Sequence, residues 1–335
     1  MHGDSRPQQA FAKPPLPERG SESGYANMPV TKVPGWHGII AWDALLNGMA
    51  TGLFLAAAVS ELAVPAVFMR VAKVAYPVAL VLLLVDLGLL VLDLGDPLRF
   101  HHMLRTFKPG SPMSFGTWCL TIFSLPLTAA AGLSLLAEAG WDFEWARILA
   151  VVVGLLPGFA SAAYKGVLLS TNAQPGWKDA RWLGGYLTNS ALLMGCAELL
   201  VLSALMGQTQ ATAILRTGFM VLLLLNVIPL GLLFVNLRPA HALLYTSAQQ
   251  WSVGALIAAG TLIPLGLMLF NGGLPFLLVA VIVLLAQSWL IRSVYVKIPH
   301  TSPLEAANGL GRSRSTIKGC GTTARQVRLG VKLLW

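Results

Sequence analysis

Long apolar runs, separated by short polar breaks, dominate the pattern along this chain. Eight windows of about 20–27 residues carry few or no charges: 38–64, 74–94, 114–137, 146–169, 182–206, 214–235, 251–270 and 274–296. At about 1.5 Å per residue each reaches across roughly 30 Å of hydrocarbon as a helix. Turn chemistry marks the breaks at Gly95-Asp96-Pro97, Gln174-Pro175-Gly176, Arg238-Pro239 and Asn271-Gly272-Gly273. Pro126, Pro157, Pro229 and Pro264 fall inside windows, as kinked helices or as the broken helices of a transporter. The pattern predicts an all-α integral membrane protein with about eight transmembrane helices. An even number of crossings returns both termini to one face, here termed the N-side.

Composition agrees: apolar residues make up 56% of the chain, charged residues 11%, and the mean hydropathy is +0.69. Residues 1–35 are polar and rich in Pro, Gly and Ser, without the apolar stretch of a signal peptide, and read as a disordered arm. Residues 36–297 form the membrane domain. Residues 298–335 form a tail bearing Arg312, Arg314, Lys318, Arg325, Arg328 and Lys332. Such a basic run next to a membrane domain points to lipid headgroups and topology, not to nucleic acid. Tryptophans at positions 36, 42, 118, 177, 182, 251 and 289 are expected at the N-side boundary, and Trp141 and Trp145 at the opposite one. N-side connections also hold Arg99, Arg105, Lys108, Lys178, Arg181 and Arg238, whereas far-side loops hold little beyond Arg70, Lys73 and Arg216. The positive-inside rule then puts the N-side in the cytoplasm.

Candidate chemistry follows from where polar groups sit within the windows. Asp43 and Asn47 lie one to two turns into the first, Asp93 ends the second, and Tyr164 and Lys165 occupy the N-side third of the fourth. Asn189, Gln287 and Arg292 lie in the N-side halves of the fifth and eighth. The far half shows only Glu61, Glu138 and Glu198, with Asp86 near the middle. Read singly, each has a structural role: an interfacial carboxylate, a snorkelling lysine, a helix–helix amide bond. Gathered in one leaflet, such costly groups mark a functional cavity.

A quinone suits that depth, having a flat apolar head, two oxygens needing hydrogen bonds and a tail that wants lipid. Tyr164 can serve one oxygen and His101 or His102 the other, with Asp93 relaying protons. Asp86, Glu61 and Glu198 would be stepping stones if protons cross the bilayer. Three scattered cysteines, at 119, 196 and 320, without CxxC or CxxCH, exclude a four-cysteine iron–sulfur cluster or c-type haem held by this chain alone. A di-haem cytochrome needs paired histidines at depth, but His37, His101, His102, His241 and His300 crowd one boundary. The readings from other classes are a secondary transporter, which would call for internal repeats, and a purely structural anchor. No repeat between the first and last four windows is visible in the sequence.

Three motifs carry a family resemblance. LLNGMATG (45–52) is similar to a small-residue run, LDLGDPLRF (92–100) followed by SPMSFGTW (111–118) to an Asp-x-Gly-x-Pro-x-Arg-Phe … Ser-x-Met-Ser-x-Gly-x-Trp pattern, and YKGVLLSTNAQPGW (164–177) to a Tyr-x-Gly-x-Leu-Leu-Ser … Pro-x-Trp pattern. Together they resemble the NrfD/PsrC family, membrane subunits of polysulfide-reductase-type redox complexes, over about residues 36–297. The resemblance implies two four-helix bundles, no haem, and menaquinone or ubiquinone bound near the N-side in the inner (cytoplasmic) membrane. It implies electron exchange with a docked four-cluster ferredoxin-like iron–sulfur subunit and, through it, a molybdopterin or cytochrome catalytic subunit. Tyr164 and Asp93 match the family's quinone-associated tyrosine and motif aspartate, and Asp43 and Asn47 face the same pocket. In this family the N-side is often exoplasmic, opposite to the loop-charge reading. The sequence departs from the pattern at Lys165, where a small polar residue is expected, and at Asp96, where a basic one is common. A pair between Lys165 and Asp96 or Asp93 would reconcile both departures.

Overall fold

The computed structural model describes residues 38–298, apart from 95–96, 106, 109, 142, 172–176, 178, 245–246 and 271. The N-terminal arm, Asp96, the break at 174–176 and the basic tail beyond residue 298 lie outside the described residues.

All described secondary structure is helical. The long helices are α1 (Gly38–Ala63), α2 (Pro65–Leu92), α4 (Pro112–Glu138), α5 (Glu144–Ser170), α6 (Leu183–Leu205), α7 (Thr209–Leu244), α8 (Ser247–Leu269) and α9 (Gly273–Lys297). A 3₁₀ turn (Pro97–Arg99) and the short α3 (Phe100–Arg105) join α2 to α4. Eight of these helices contain stretches long and apolar enough to cross a membrane, so the chain is a multi-pass all-α membrane protein. Prolines within them, among them Pro77, Pro126, Pro157 and Pro264, leave the helices continuous.

Three boundaries differ from the sequence reading, each for a local reason. Only Val64 separates α1 from α2, and Pro65 opens α2, where its missing N–H costs no helical bond. Arg70 and Lys73 therefore ride on a helix, not on a far-side loop. Pro239 does not end α7, which continues to Leu244. The carbonyl that Pro239 frees belongs to Val235, an exposed residue. The stretch 100–105, read as a loop, folds as α3. At the start of α4 the turn chemistry holds: Ser111 caps the helix by accepting from the Ser114 amide, and Pro112 takes the first position.

Helices α1, α2, α4 and α5 pack as one bundle and α6–α9 as a second, joined mainly where α1 meets α6. Lipid tails are as apolar as leucine, so association relies on close contact, which small residues permit. A Cβ at Gly52 would lie 1.9 Å from the Ala191 carbonyl oxygen, and one at Gly195 would lie 1.9 Å from the Gly52 carbonyl carbon. The two backbones thus touch across the bundle interface. Gly166 lets α5 approach α6 in the same way, against Gly184. The packing plan also repeats. Each bundle's first helix meets the other bundle's last, α1 with α9 and α6 with α5. The repetition is in contacts, which is why residue identities did not reveal it. Trp177, expected at the lipid boundary, is instead fully buried, its indole N–H donating to the Tyr295 carbonyl at 2.8 Å.

Candidate functional site

Four helix ends converge on one cavity of about 190 Å³. Ile40, Asp43 and Ala44 come from the first two turns of α1, and Leu90, Asp93 and Leu94 from the end of α2. Met113 and Thr117 come from the start of α4, and Tyr164, Lys165, Leu168 and Leu169 from the last turns of α5. All lie at the N-side ends of the first bundle. The wall is mostly aliphatic, with its ionisable groups on α1 and α5 and at the end of α2.

Lys165 organises the polar side. Its buried ammonium donates to Asp43 Oδ2 at 2.9 Å, to the Asp43 backbone carbonyl at 2.9 Å and to Asp86 Oδ1 at 3.2 Å. Three donors meet three acceptors, so the cation is fully satisfied. Asn47 completes the arrangement, its amide donating to Asp86 Oδ2 at 3.4 Å and to Ser161 Oγ at 3.3 Å. Both Asp86 oxygens therefore have partners. Asp43 differs: Oδ1 is buried and accepts no hydrogen bond among the described residues, although Asp43 borders the cavity. Two carboxyl groups face one ammonium, and such buried ionisable groups are costly unless a function uses them.

Tyr164 stands beside the triad with its ring 5.7 Å from the Lys165 ammonium. Its seat is Gly116, where a Cβ would lie 2.3 Å from the tyrosine ring. The glycine of the SPMSFGTW motif is thus required by the ring on the facing helix.

Of the residues expected at a quinone site, Asp43, Asp93, Tyr164 and Lys165 line this cavity, and Asn47 supports it from behind. Lys165 pairs with Asp43 and Asp86, not with Asp93. The expected partner is displaced because α2 brings Asp86, almost two turns earlier, to the level of Asp43. Asp86, read as a midway stepping stone, belongs to the triad. His101 and His102 do not join it. They are exposed on α3 with rings 4.2 Å apart, and His101 Nδ1 lies 2.9 Å from the Leu98 carbonyl oxygen.

The far half is more polar than the sequence suggested. Glu61 is buried in an ion pair with Arg147 at 2.5 Å and accepts from the Tyr76 hydroxyl at 2.6 Å. Arg147 escaped notice because it opens its window and resembles an interfacial residue. Between Asn47 and Glu61, α1 buries Leu53, Phe54, Leu55, Ala57 and Ala58, an apolar stretch. Glu198 is separate again, both its oxygens buried with no hydrogen-bond partner among the described residues. Ser161, a small residue in an apolar run, had signalled nothing, and Gly116 stood in its motif without a role.

Crossing helices around a polar-sided cavity at one end define a multi-pass membrane protein with a built, buried ionisable site. A family model described as polysulfide reductase, of the NrfD type, matches residues 30–302. The chain belongs to that family. No curated protein matches the chain.

Proposed function

We propose that this chain is the quinone-interacting membrane subunit of a multi-subunit redox complex. It binds menaquinone or ubiquinone in the N-side cavity and exchanges electrons with an iron–sulfur subunit docked on that face, in the inner (cytoplasmic) membrane. The observation that carries this reading is the pairing of an aliphatic cavity with the buried Asp43–Lys165–Asp86 group at its wall, beside Tyr164. A quinone head would fit this wall: Ile40, Leu90, Met113 and Leu168 would hold the ring, and its oxygens would need polar partners at the edge.

A quinol supplies two electrons and two protons on oxidation. The chain's part is to bind, orient and exchange protons. The Tyr164 hydroxyl hydrogen-bonds one ring oxygen. Asp43 Oδ1 takes or returns a proton without any member of the Asp43–Lys165–Asp86 group leaving its place. Asp86, held by Lys165 and Asn47, provides the counter-charge. Asp93, half-buried at the cavity's edge, relays protons toward water. His101 and His102 are left out as head-group ligands because they stand outside the cavity wall. Electrons leave to the docked partner, for which exposed Arg105, Lys108 and Arg181 offer a basic face to acidic groups.

Photolabelling with an azidoquinone and peptide mapping tests the assignment. The expected labels fall on residues 40–44, 90–94, 113–117 and 164–169 and are chased by unlabelled quinone. Labels confined to α6–α9, or not chased, contradict it.

A further inference from the structure

Arg292 is a second buried cation at the N-side, and it belongs to the other bundle. It lies five residues before the last residue of α9, Lys297, as Lys165 lies five before the last of α5, Ser170. Each helix is the last of its four. The register that sets Gly195 opposite Gly52 also sets Ser190 of α6 in the place of Asn47 of α1. The counterpart of the site is nevertheless changed: no carboxylate pairs with Arg292 among the described residues. The equivalent cavity in the second bundle, between α7, α8 and α9, is apolar and only about 40 Å³, with Ile291 where the first bundle has Tyr164.

The guanidinium goes elsewhere. Nε donates to the Ala44 carbonyl at 3.2 Å, Nη1 to the Ser288 carbonyl at 3.1 Å, and both Nη atoms to Ser190 Oγ at 3.4 Å. Ala44 lines the cavity, and its carbonyl follows that of Asp43, which Lys165 holds. Consecutive carbonyls of α1 are therefore gripped by two buried cations, one from each bundle. Gly48 makes room for this, since a Cβ there would lie 2.6 Å from Met194 Cε and 3.0 Å from Arg292 Nη2.

We propose that Arg292 is a positioning residue for the quinone site: it fixes the turn of α1 that carries Asp43 and so sets where Asp43 Oδ1 meets the ligand. The second bundle, built on the plan of the first, serves as a brace for one site and not as a second site. This rests on the reading of the first cavity as the quinone site, and the test separates the two claims.

The full-length purified protein is titrated with a fluorescent hydroxyquinoline N-oxide, a quinol analogue, and the α1 amides are followed by hydrogen exchange without ligand. Arg292→Gln is expected to weaken analogue binding about 10-fold, the scale of one lost charge-assisted hydrogen bond. It is also expected to speed exchange at residues 43–48, with Arg292→Lys recovering most of both. Asn226→Leu, which breaks the Asn189–Asn226 bond of 2.9 Å in the second bundle, controls for general loosening and should keep wild-type affinity. Gly48→Ala, which crowds the guanidinium without changing charge, serves if Arg292→Gln does not fold, and should weaken binding likewise. Folded Arg292→Gln or Gly48→Ala protein with wild-type affinity and wild-type exchange at 43–48 overturns the proposal. So does an equal loss of affinity in Asn226→Leu. Wild-type protein that fails to bind the analogue contradicts the quinone reading alone, and the exchange arm still decides the role of Arg292.

Discussion

Lys165 shows how one side chain sets the character of a site. In an apolar bundle an ammonium survives only with every donor used, and Lys165 uses all three on Asp43 and Asp86. Removing it leaves two carboxylates close together in a poor solvent. Lys165→Met should lower stability by about 3–5 kcal/mol, the range for breaking a buried pair from one side. Lys165→Met combined with Asp86→Leu should recover part of that stability, since one unpaired carboxyl remains in place of two, without recovering quinone affinity, because Asp43 loses its anchor. Thermal unfolding and analogue binding on the two variants check both halves. The neighbouring Gly116 makes a subtler prediction. Gly116→Ala adds a methyl where the Tyr164 ring lies, and should reduce analogue affinity about as far as Tyr164→Phe does, roughly 10-fold for one hydrogen bond. Near-normal affinity in Gly116→Ala would mean that the ring's position is not used.

At the scale of elements, α1 is the keystone, and its two polar clusters answer to different demands. Its N-side turns carry Asp43 and Asn47, while its far end carries Glu61 in the pair with Arg147 and Tyr76. The two ends lie 18 residues apart, about 27 Å along the helix. The far cluster ties α1, α2 and α5 together, so its effect belongs to stability. Glu61→Gln should cost about 3–5 kcal/mol in unfolding while leaving analogue affinity within twofold. A large loss of affinity in a stable Glu61→Gln protein would show that the two clusters are coupled.

The eight crossings and the polar bias of one end were legible because hydropathy and the cost of charge in lipid act on every residue independently. Tyr164, Asp43 and Asp93 stood out as candidates for the same reason, Tyr164 and Asp93 also through their motifs, and all three line the cavity. Partner choice was not. Which carboxylate meets Lys165 depends on how far α2 slides along α1, and only packing decides that. Ser161 was silent, and the role of Gly116 in its motif unread, because a small residue in an apolar run reads as helix contact until the facing side chain is known. Arg147 was passed over at a window edge, and Pro239 misled because the helix runs on past it to Leu244.

For the whole molecule, two bundles share one packing plan but not one content. The first has Asp43, Asp86, Tyr164 and the larger N-side cavity, and the second contributes Arg292 and a small apolar N-side cavity. Exposed Arg105, Lys108 and Arg181 stand at the N-side, the cavity's end of the first bundle.

The most direct test is a titration of the purified protein with the fluorescent quinol analogue, comparing wild type with Asp43→Asn, Tyr164→Phe and Glu61→Gln. Saturable binding of one analogue per chain is predicted, about 10-fold weaker in the first two variants and unchanged in the third. Equal affinity in all four proteins, or two sites per chain, would contradict the account.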